Sequence, residues 1–555
     1  MIRFQGARLI IQTRLPFRLL RMHRLSNQEE NILRSIMICT LTAILTAAVP
    51  TALAAPPSVV TQGDGAAIAC EGCHGIDGAG NAQAGVPALA HLPQTYLTKQ
   101  IADFKSGKRS NPVMTPIAQA LSDKDAELAA SYYAGLARPK IQPNTAADPA
   151  VIALGENLAI NGDWSRLAPP CLKCHAADGL GVAPAFPPIT GQHASYIVSQ
   201  LLAWKTGSRT NDPQSLMKSA VINLTDDEMN AVAEYFANTE PAIIAGNRVS
   251  LISAGSTPIK AAGDSKISAP TQFAPPPEAD IPKNEFGNMV LLGKNIFTHT
   301  GKYAKSYVGN GLNCANCHLD NGRKADSAPL WAAYVLYPAY RKKTGQVDTM
   351  QSRIQGCFRY SMNGKVPAAD SKEITALVTY SYWLASGAPT GVRLPGQGFG
   401  KIAKPGQTPD LVRGSEVFMN NCALCHGAEG QGTKANGVYA FPPLWGKDSY
   451  NWGAGMHRID TAASFIKNNM PYGRGGSLSV QEAWDVALFM NSHDRPKDPR
   501  FEGSISKTRD KIHDENCLYG RSPADLAAYL EEQEKAKAGQ SKAPLQKGFS
   551  PAQSQ

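Results

Sequence analysis

Four Cys-x-x-Cys-His motifs constrain this chain more than any other feature: Cys70/Cys73/His74, Cys171/Cys174/His175, Cys314/Cys317/His318 and Cys422/Cys425/His426. Two thiols followed at once by an imidazole make the signature of covalent haem attachment. The thiols take the vinyl groups and the imidazole takes the iron. With 11 Cys and 11 His in 555 residues, chance supplies about 0.004 such motifs per chain, so four copies predict four covalently bound haem c groups. A covalent haem forms much of the core of a small helical domain. The expected fold class is therefore mainly α, with four c-type cytochrome domains in two dihaem pairs joined by a Pro/Ala-rich linker.

Residues 1–54 have the pattern of an export signal with an N-terminal extension. Ile36 to Val49 is apolar but short for a bilayer span, and Ala52-Leu-Ala54 is a small-residue cleavage pattern. Haem attachment to this motif also takes place outside the cytoplasm, so the periplasm is expected, with membrane anchoring if the signal stays uncleaved. Seven Arg and two Glu in that segment make up half of the formal +10. The remaining charge is too modest to predict nucleic-acid binding.

Residues 56–140 and 150–241 form a repeat. Tyr96-Leu-Thr-Lys-Gln100, Lys105-Ser-Gly-Lys-Arg109 and Leu121-Ser-Asp in the first copy answer Tyr196-Ile-Val-Ser-Gln200, Lys205-Thr-Gly-Ser-Arg209 and Leu224-Thr-Asp in the second. Ser122 and Thr225 are placed to cap the last helix of each unit. Met114 and Met217 follow the two haem histidines at matched positions. A thioether there closes the iron and raises its potential; the alternative is a core methionine. Residues 242–283 form the linker. Residues 284–395 and 405–500 carry the second pair of motifs, and 501–555 form a polar tail with a short helix expected over 524–537. For the fourth iron, Met470 lies in a Met-Pro loop and Met456 is the weaker choice. Ser479-Val-Gln-Glu482 is a capping box.

The third iron has several candidate ligands opposite His318. Met362 is the ordinary one, Met350 a lesser one, and Cys357 the unusual one. Cys357 lies outside any haem motif and so does Cys517, which makes a disulfide between them a further expectation in an oxidising compartment.

The first half resembles the cytochrome c4 family of tandem dihaem electron carriers. It departs from the family at a Gly-Gln pair that is aligned with Ala90-His91. The runs Asn310-Gly-Leu-Asn-Cys314-Ala-Asn-Cys317-His318, Tyr337-Pro-Ala-Tyr-Arg341, Arg353-Ile-Gln-Gly-Cys357-Phe-Arg-Tyr-Ser361 and Tyr439-Ala-Phe-Pro-Pro resemble the dihaem thiosulfate dehydrogenases. The whole chain is similar to the form fused to a c4-like acceptor. The resemblance implies Cys357 as haem ligand, Arg353 and Ser361 as substrate-pocket residues, and Met470 on the fourth haem. Some members place a lysine directly before that methionine. Here the residue is Asn469, and Lys467 is out of register. Arg359 and Lys365 are reserve cations.

The implied reaction joins two thiosulfates into tetrathionate, with the electrons leaving through the c4-like half to a soluble periplasmic cytochrome c or high-potential iron-sulfur protein. Two dianions about 4 Å apart repel by about 4 kcal/mol even in water, so the pocket needs a cation, and the Arg353 fork suits a sulfonate. Cys357 is expected to carry a thiosulfonate that the second thiosulfate attacks. Three alternatives stand beside this: the reverse reaction, tetrathionate reduction; a purely electron-carrying four-haem protein; and a cytochrome that conjugates thiosulfate to a carrier protein.

Overall fold

The computed structural model describes residues 55–141, 143–241, 273–341, 343–390, 393–513 and 516–521. The export segment, most of the linker and the tail beyond 521, including the helix expected over 524–537, lie outside the described residues.

The chain is mainly helical. Strand structure among the described residues is limited to isolated bridges and two small antiparallel hairpins, Ala339–Arg341 with Gln346–Asp348 and Thr433–Ala435 with Val438–Phe441. Three of the four haem-motif regions share one frame, in which a helix before the motif crosses a helix near the end of the unit. The pairs are Pro149–Ile160 with Asp226–Asn238, Glu285–Thr298 with Lys372–Leu384, and Leu411–Asn421 with Val480–Asn491. Each crossing runs over a glycine. A methyl group on Gly155, Gly293 or Gly414 would collide with the carbonyl oxygen of Ala231, Ala376 or Asp485. The first unit instead packs Gln94–Lys105 against Asp123–Gly135, with Val59 and Val60 buried beneath.

The capping residues read from the sequence start the helices that close these frames. The Asp125 amide donates to Ser122 Oγ at 3.0 Å. Thr225 with Glu228, and Ser479 with Glu482, form reciprocal capping boxes, each satisfying two amides that a helix start leaves over.

The two repeat copies meet face to face through their matched arginines. Arg109 donates to Gln100 Oε1 (3.0 Å) and Gln200 Oε1 (2.9 Å), and Arg209 donates to the same two oxygens at 2.9 and 2.6 Å. The guanidinium groups lie over Phe104 and Trp204, 4.5 and 4.0 Å from the ring centres. Both arginines are buried, and glutamine oxygens accept their donors without adding charge.

The structure corrects the alignment of the Gly-Gln pair. The His91 amide donates to Tyr133 O and the Gly191 amide to Phe236 O, with equivalent bonds just before each to Gly78 O and Gly179 O. Gly191-Gln192 is therefore matched by His91-Leu92, not Ala90-His91. The backbone explains why glycine occurs there, since His91 has φ 66° and Gly191 φ 79°.

The c4-like half docks on the second half. Phe186 lies against Phe441 (5.2 Å between ring centres) and Trp164 meets Tyr472 edge-on at 5.1 Å. Asn436 Nδ2 donates to Asp178 (2.7 Å) and Gln214 Nε2 donates to Asn420 O (2.6 Å).

Gly293→Ala is expected to lower the stability of the third unit by about 1–3 kcal/mol through overpacking, read as a drop in its thermal midpoint. Gly301→Ala, which meets nothing within 4 Å, serves as the matched control and should be near neutral.

Candidate active site

All four haem-motif histidines are aimed the same way. Nδ1–H donates to a backbone carbonyl: His74 to Pro87 O (3.0 Å), His175 to Pro187 O (2.8 Å), His318 to Ala328 O (2.7 Å) and His426 to Pro442 O (2.8 Å). This fixes the tautomer and leaves Nε2 as the lone-pair donor, which is the geometry an iron ligand requires. Burial keeps these rings neutral. For His318 it pushes the pKa down to about 4, with Arg353 adding to the shift.

The motif thiols differ in exposure. Cys70, Cys171, Cys174, Cys314, Cys317, Cys422 and Cys425 are half-buried, whereas Cys73 is exposed. The one-turn helix Glu71–His74 buries its histidine, and Cys70 Sγ turns inward to Val59 O at 3.5 Å, which leaves Cys73 on the rim. Its counterparts gain their cover from long-range packing. Cys174 and Cys425 lie against the apolar cluster of Ala176, Val182, Phe186 and Phe441 where the two halves meet, and Cys317 lines the cavity of the third unit. Cys73 therefore belongs to the open edge of the first haem site, not to its interior.

The third motif opens a cavity that differs from an ordinary electron-carrier pocket. Thr349 and Ser352 cap the helix Met350–Gly356 reciprocally (3.2 and 2.9 Å), and the helix runs on into one π-helical turn, Cys357–Ser361. Such turns widen the helix and often mark functional sites. Residues four apart share a helix face, so Arg353, Cys357 and Ser361 all line the cavity. His318, Cys314 and Cys317 lie on its other wall, and Phe297, Leu330, Met350, Met362 and Leu377 supply its apolar lining. Arg353 Nη1 donates to Cys357 Sγ at 2.8 Å. The Cys357 sulfur, above all, raises the pKa of that guanidinium against the opposing effect of burial.

The turn is pinned from outside. Asn310 Nδ2 donates to Ser361 O (2.9 Å) and Ser449 O (3.1 Å), and Asn451 Nδ2 donates to Arg359 O (2.9 Å). These asparagines belong to the long motifs around positions 310 and 450.

A second tier of cations was not visible in the sequence. Lys343 has an exposed stem, but its ammonium turns inward to donate to Gly453 O (2.6 Å), 4.1 Å from the centre of the Tyr360 ring. Burial of the ammonium pushes its pKa down to about 7, helped by Arg500, Arg353 and Arg341. Arg500 lies over the same Tyr360 ring at 5.2 Å. Only the hairpin 339–348 and the return of residue 500 bring these groups together, so no local pattern announces them. The reserve cations Arg359 and Lys365 are exposed and outside the cavity.

The other sequence candidates separate spatially. No disulfide joins any cysteine among the described residues, and Cys517 packs beside His513, not Cys357. Met456 lines the cavity of His318, whereas Met470 packs in the core of the fourth unit. Lys467 is held by Gly476 O (2.7 Å) and Leu478 O (2.5 Å). Asn469 accepts from Lys324 at 2.6 Å and donates to Asp326 O at 2.8 Å. Met114 and Met217 occupy matching helix starts, their amides donating to Asn111 Oδ1 (2.9 Å) and Asp212 Oδ2 (2.8 Å). A continuous aromatic bridge runs between two haem-motif histidines, His175 to Phe186 (6.4 Å), Phe186 to Phe441 (5.2 Å) and Phe441 to His426 (6.4 Å).

Oriented imidazoles, unbridged thiol pairs and an apolar cavity fit haem c, and the fold and site define a multihaem c-type cytochrome. Residues 63–135, 166–240 and 411–494 match the family described as cytochrome c, and 301–390 match "SoxA/TsdA, cytochrome c domain". The chain is 59% identical over 252 residues to a thiosulfate dehydrogenase of Stutzerimonas stutzeri, covering 45% of this chain and 82% of that one. It is 45% identical over 182 residues to the thiosulfate dehydrogenase electron acceptor of the same organism, covering 32% and 84%. The solved thiosulfate dehydrogenase (TsdBA) of Marichromatium purpuratum superimposes with a TM-score of 0.75 at 43% identity, covering 83% of this chain and 96% of that one. The chain belongs to the thiosulfate dehydrogenase family, as a fusion with a cytochrome c4-like electron acceptor, and is a haem-dependent oxidoreductase.

At pH 6, below the Lys343 pKa of about 7, replacing Lys343 by Gln removes one cation beside Tyr360. The KM for thiosulfate is expected to rise about fivefold, equivalent to ~1 kcal/mol, and to depend less on ionic strength, while kcat changes little. Steady-state kinetics across a salt series measures both.

Proposed function

We propose that this protein is a periplasmic four-haem enzyme that oxidises two thiosulfate ions to tetrathionate, releasing two electrons. The electrons leave through the c4-like half to a soluble cytochrome c or high-potential iron-sulfur protein. The observation that carries this reading is the Arg353–Cys357 contact of 2.8 Å inside the cavity of His318. A thiol in an electron-carrier pocket needs no guanidinium, whereas a site for sulfur oxyanions needs both.

In this reading the domains are 56–140, 150–241, 284–395 and 405–500. Each haem would be held by its cysteine pair, with His74 and Met114, His175 and Met217, His318 and Cys357, and His426 and Met470 as the residues that would bind the iron. Cys73 would hold its haem at the solvent-facing edge of the first unit. When bound, each haem accepts one electron, so the two in the dehydrogenase half match the two released per tetrathionate.

The side chains divide the remaining work. Arg353 donates to Cys357 Sγ and offers its fork to a sulfonate. Cys357 Sγ bonds to the sulfane sulfur of the first thiosulfate with loss of two electrons, giving a Cys357 S-thiosulfonate. The second thiosulfate attacks that attached sulfane sulfur. A new S–S bond forms, the bond to Cys357 breaks with its electron pair returning to the cysteine, and tetrathionate leaves. Arg353, backed by Lys343 and Arg500, offsets the repulsion of about 4 kcal/mol between two dianions some 4 Å apart in water. Ser361 Oγ, one turn beyond Cys357, supplies a neutral donor.

Cys357→Gly and Cys357→Ala should retain four haems, counted by pyridine haemochrome, while tetrathionate formation with ferricyanide falls by more than about 100-fold. Unchanged turnover in either variant would remove the cysteine from the chemistry. Phe441→Ala addresses the electron route. Stopped-flow reduction of the c4-like half should slow while tetrathionate formation with ferricyanide persists, and identical traces would show that electrons leave elsewhere.

A further inference from the structure

Residues 504–513 and 516–521 fold back onto the fourth unit and complete a buried cluster that the reaction above does not use. His457, His513 and Cys517 are each buried, and one donor atom from each lies within 4.8 Å of the others. Two local bonds build the cluster. The Ile459 amide donates to Asn516 O at 2.9 Å, and Arg458 bridges Cys517 backbone to backbone. The loop after Met456 and the returning segment are thus held side by side.

We propose that His457, His513 and Cys517 form a metal site for a thiophilic d10 cation, Cu(I) in preference to Zn(II). Four observations support it. His457 Nδ1 is buried with no hydrogen-bond partner, a costly state if nothing else engages it. His513 Nε2 faces Asp498 Oδ2 at 3.1 Å, and that carboxylate is held charged by Arg500 at 2.6 and 3.0 Å. His513 Nε2, despite that distance, is buried without a hydrogen bond, and His513 Nδ1 lies 3.1 Å from Cys517 Sγ. The Tyr519 amide donates to Cys517 Sγ at 3.4 Å, a contact that favours a thiolate. Two imidazoles and one thiolate are donors that select copper or zinc.

The number of donors decides between the two ions. Cu(I) is satisfied by three soft ligands, whereas Zn(II) would be left with a vacant fourth position in a buried site. The ion would clasp the returning segment to the wall behind the cavity, since Met456, the neighbour of His457, lines that cavity.

The test uses the full-length haem-loaded protein, incubated anaerobically with Cu(I) or Zn(II), desalted through a chelator, and analysed for metals against haem iron as internal standard. One copper per four iron is expected, together with a rise in thermal midpoint of several degrees. Cys517→Ser and His513→Gln should both lose the copper and the rise while keeping the haem spectrum. Zinc retained at one per four iron in place of copper would keep the site and overturn the choice of ion. No stoichiometric retention of either ion by the unsubstituted protein, or full retention by both variants, would overturn the site itself. Because metal content is read independently of turnover, the result stands apart from that of Cys357→Gly.

Discussion

The proposed reaction depends on the contact between a guanidinium and a thiol on one helix face. Arg353 and Cys357 are brought together by four-residue spacing, and the π-helical turn that begins at Cys357 turns both toward His318. A buried arginine is costly unless something negative or polar answers it, and here the sulfur does. The same pairing sets a cation and a sulfur side by side in the cavity, which Met362 or Met350, neutral thioethers on the same walls, could not do.

Everything around that pair serves rigidity. The turn is held through its backbone carbonyls by Asn310 and Asn451, so its side chains remain free for chemistry. The helices that frame the unit cross at Gly293, close enough that no side chain fits between them. Two of the other three haem-motif regions reuse this frame with Gly155 and Gly414, which is how small helical units with little apolar core of their own make a firm wall around a large cofactor. The phenylalanine pair 186 and 441 then joins two such walls.

Much of this was legible locally. The haem motifs, the repeat, the caps at Ser122, Thr225 and Ser479 and the unusual Cys357 are short-range patterns, and the chain forms each of them where its pattern implies. What escaped is long-range. Lys343 and Arg500 meet over Tyr360 only because a hairpin and a returning segment converge. Phe186 and Phe441 are neighbours across a linker. Cys73 shares its spacing with Cys174 and Cys425 but not their cover, because the docking of the two halves supplies that cover and the first motif lies away from it. His91 was matched one residue out because the alignment rested on letters, whereas the position is defined by a backbone with positive φ. The polar stretch after Arg500 looked like tail because its few apolar residues are scattered, yet Cys517, Leu518 and Tyr519 are almost wholly buried.

Fusion to the acceptor follows from the same electron count. A reaction that releases electrons in pairs must feed carriers that accept them singly. The second electron must leave before the site can turn over again. Across a diffusive encounter that step depends on acceptor concentration. Within one chain the acceptor half is present at roughly millimolar effective concentration, and here it is also docked, with Asn436, Asp178, Gln214 and Asn420 flanking the aromatic contact. The polar bonds fix the register and the two rings fill the gap between the histidines of the second and fourth motifs. In the proposed reaction a chain built this way commits its electrons to one exit, and the acceptor half rather than chance encounter would determine how quickly the Cys357 cavity is ready for the next pair of thiosulfates.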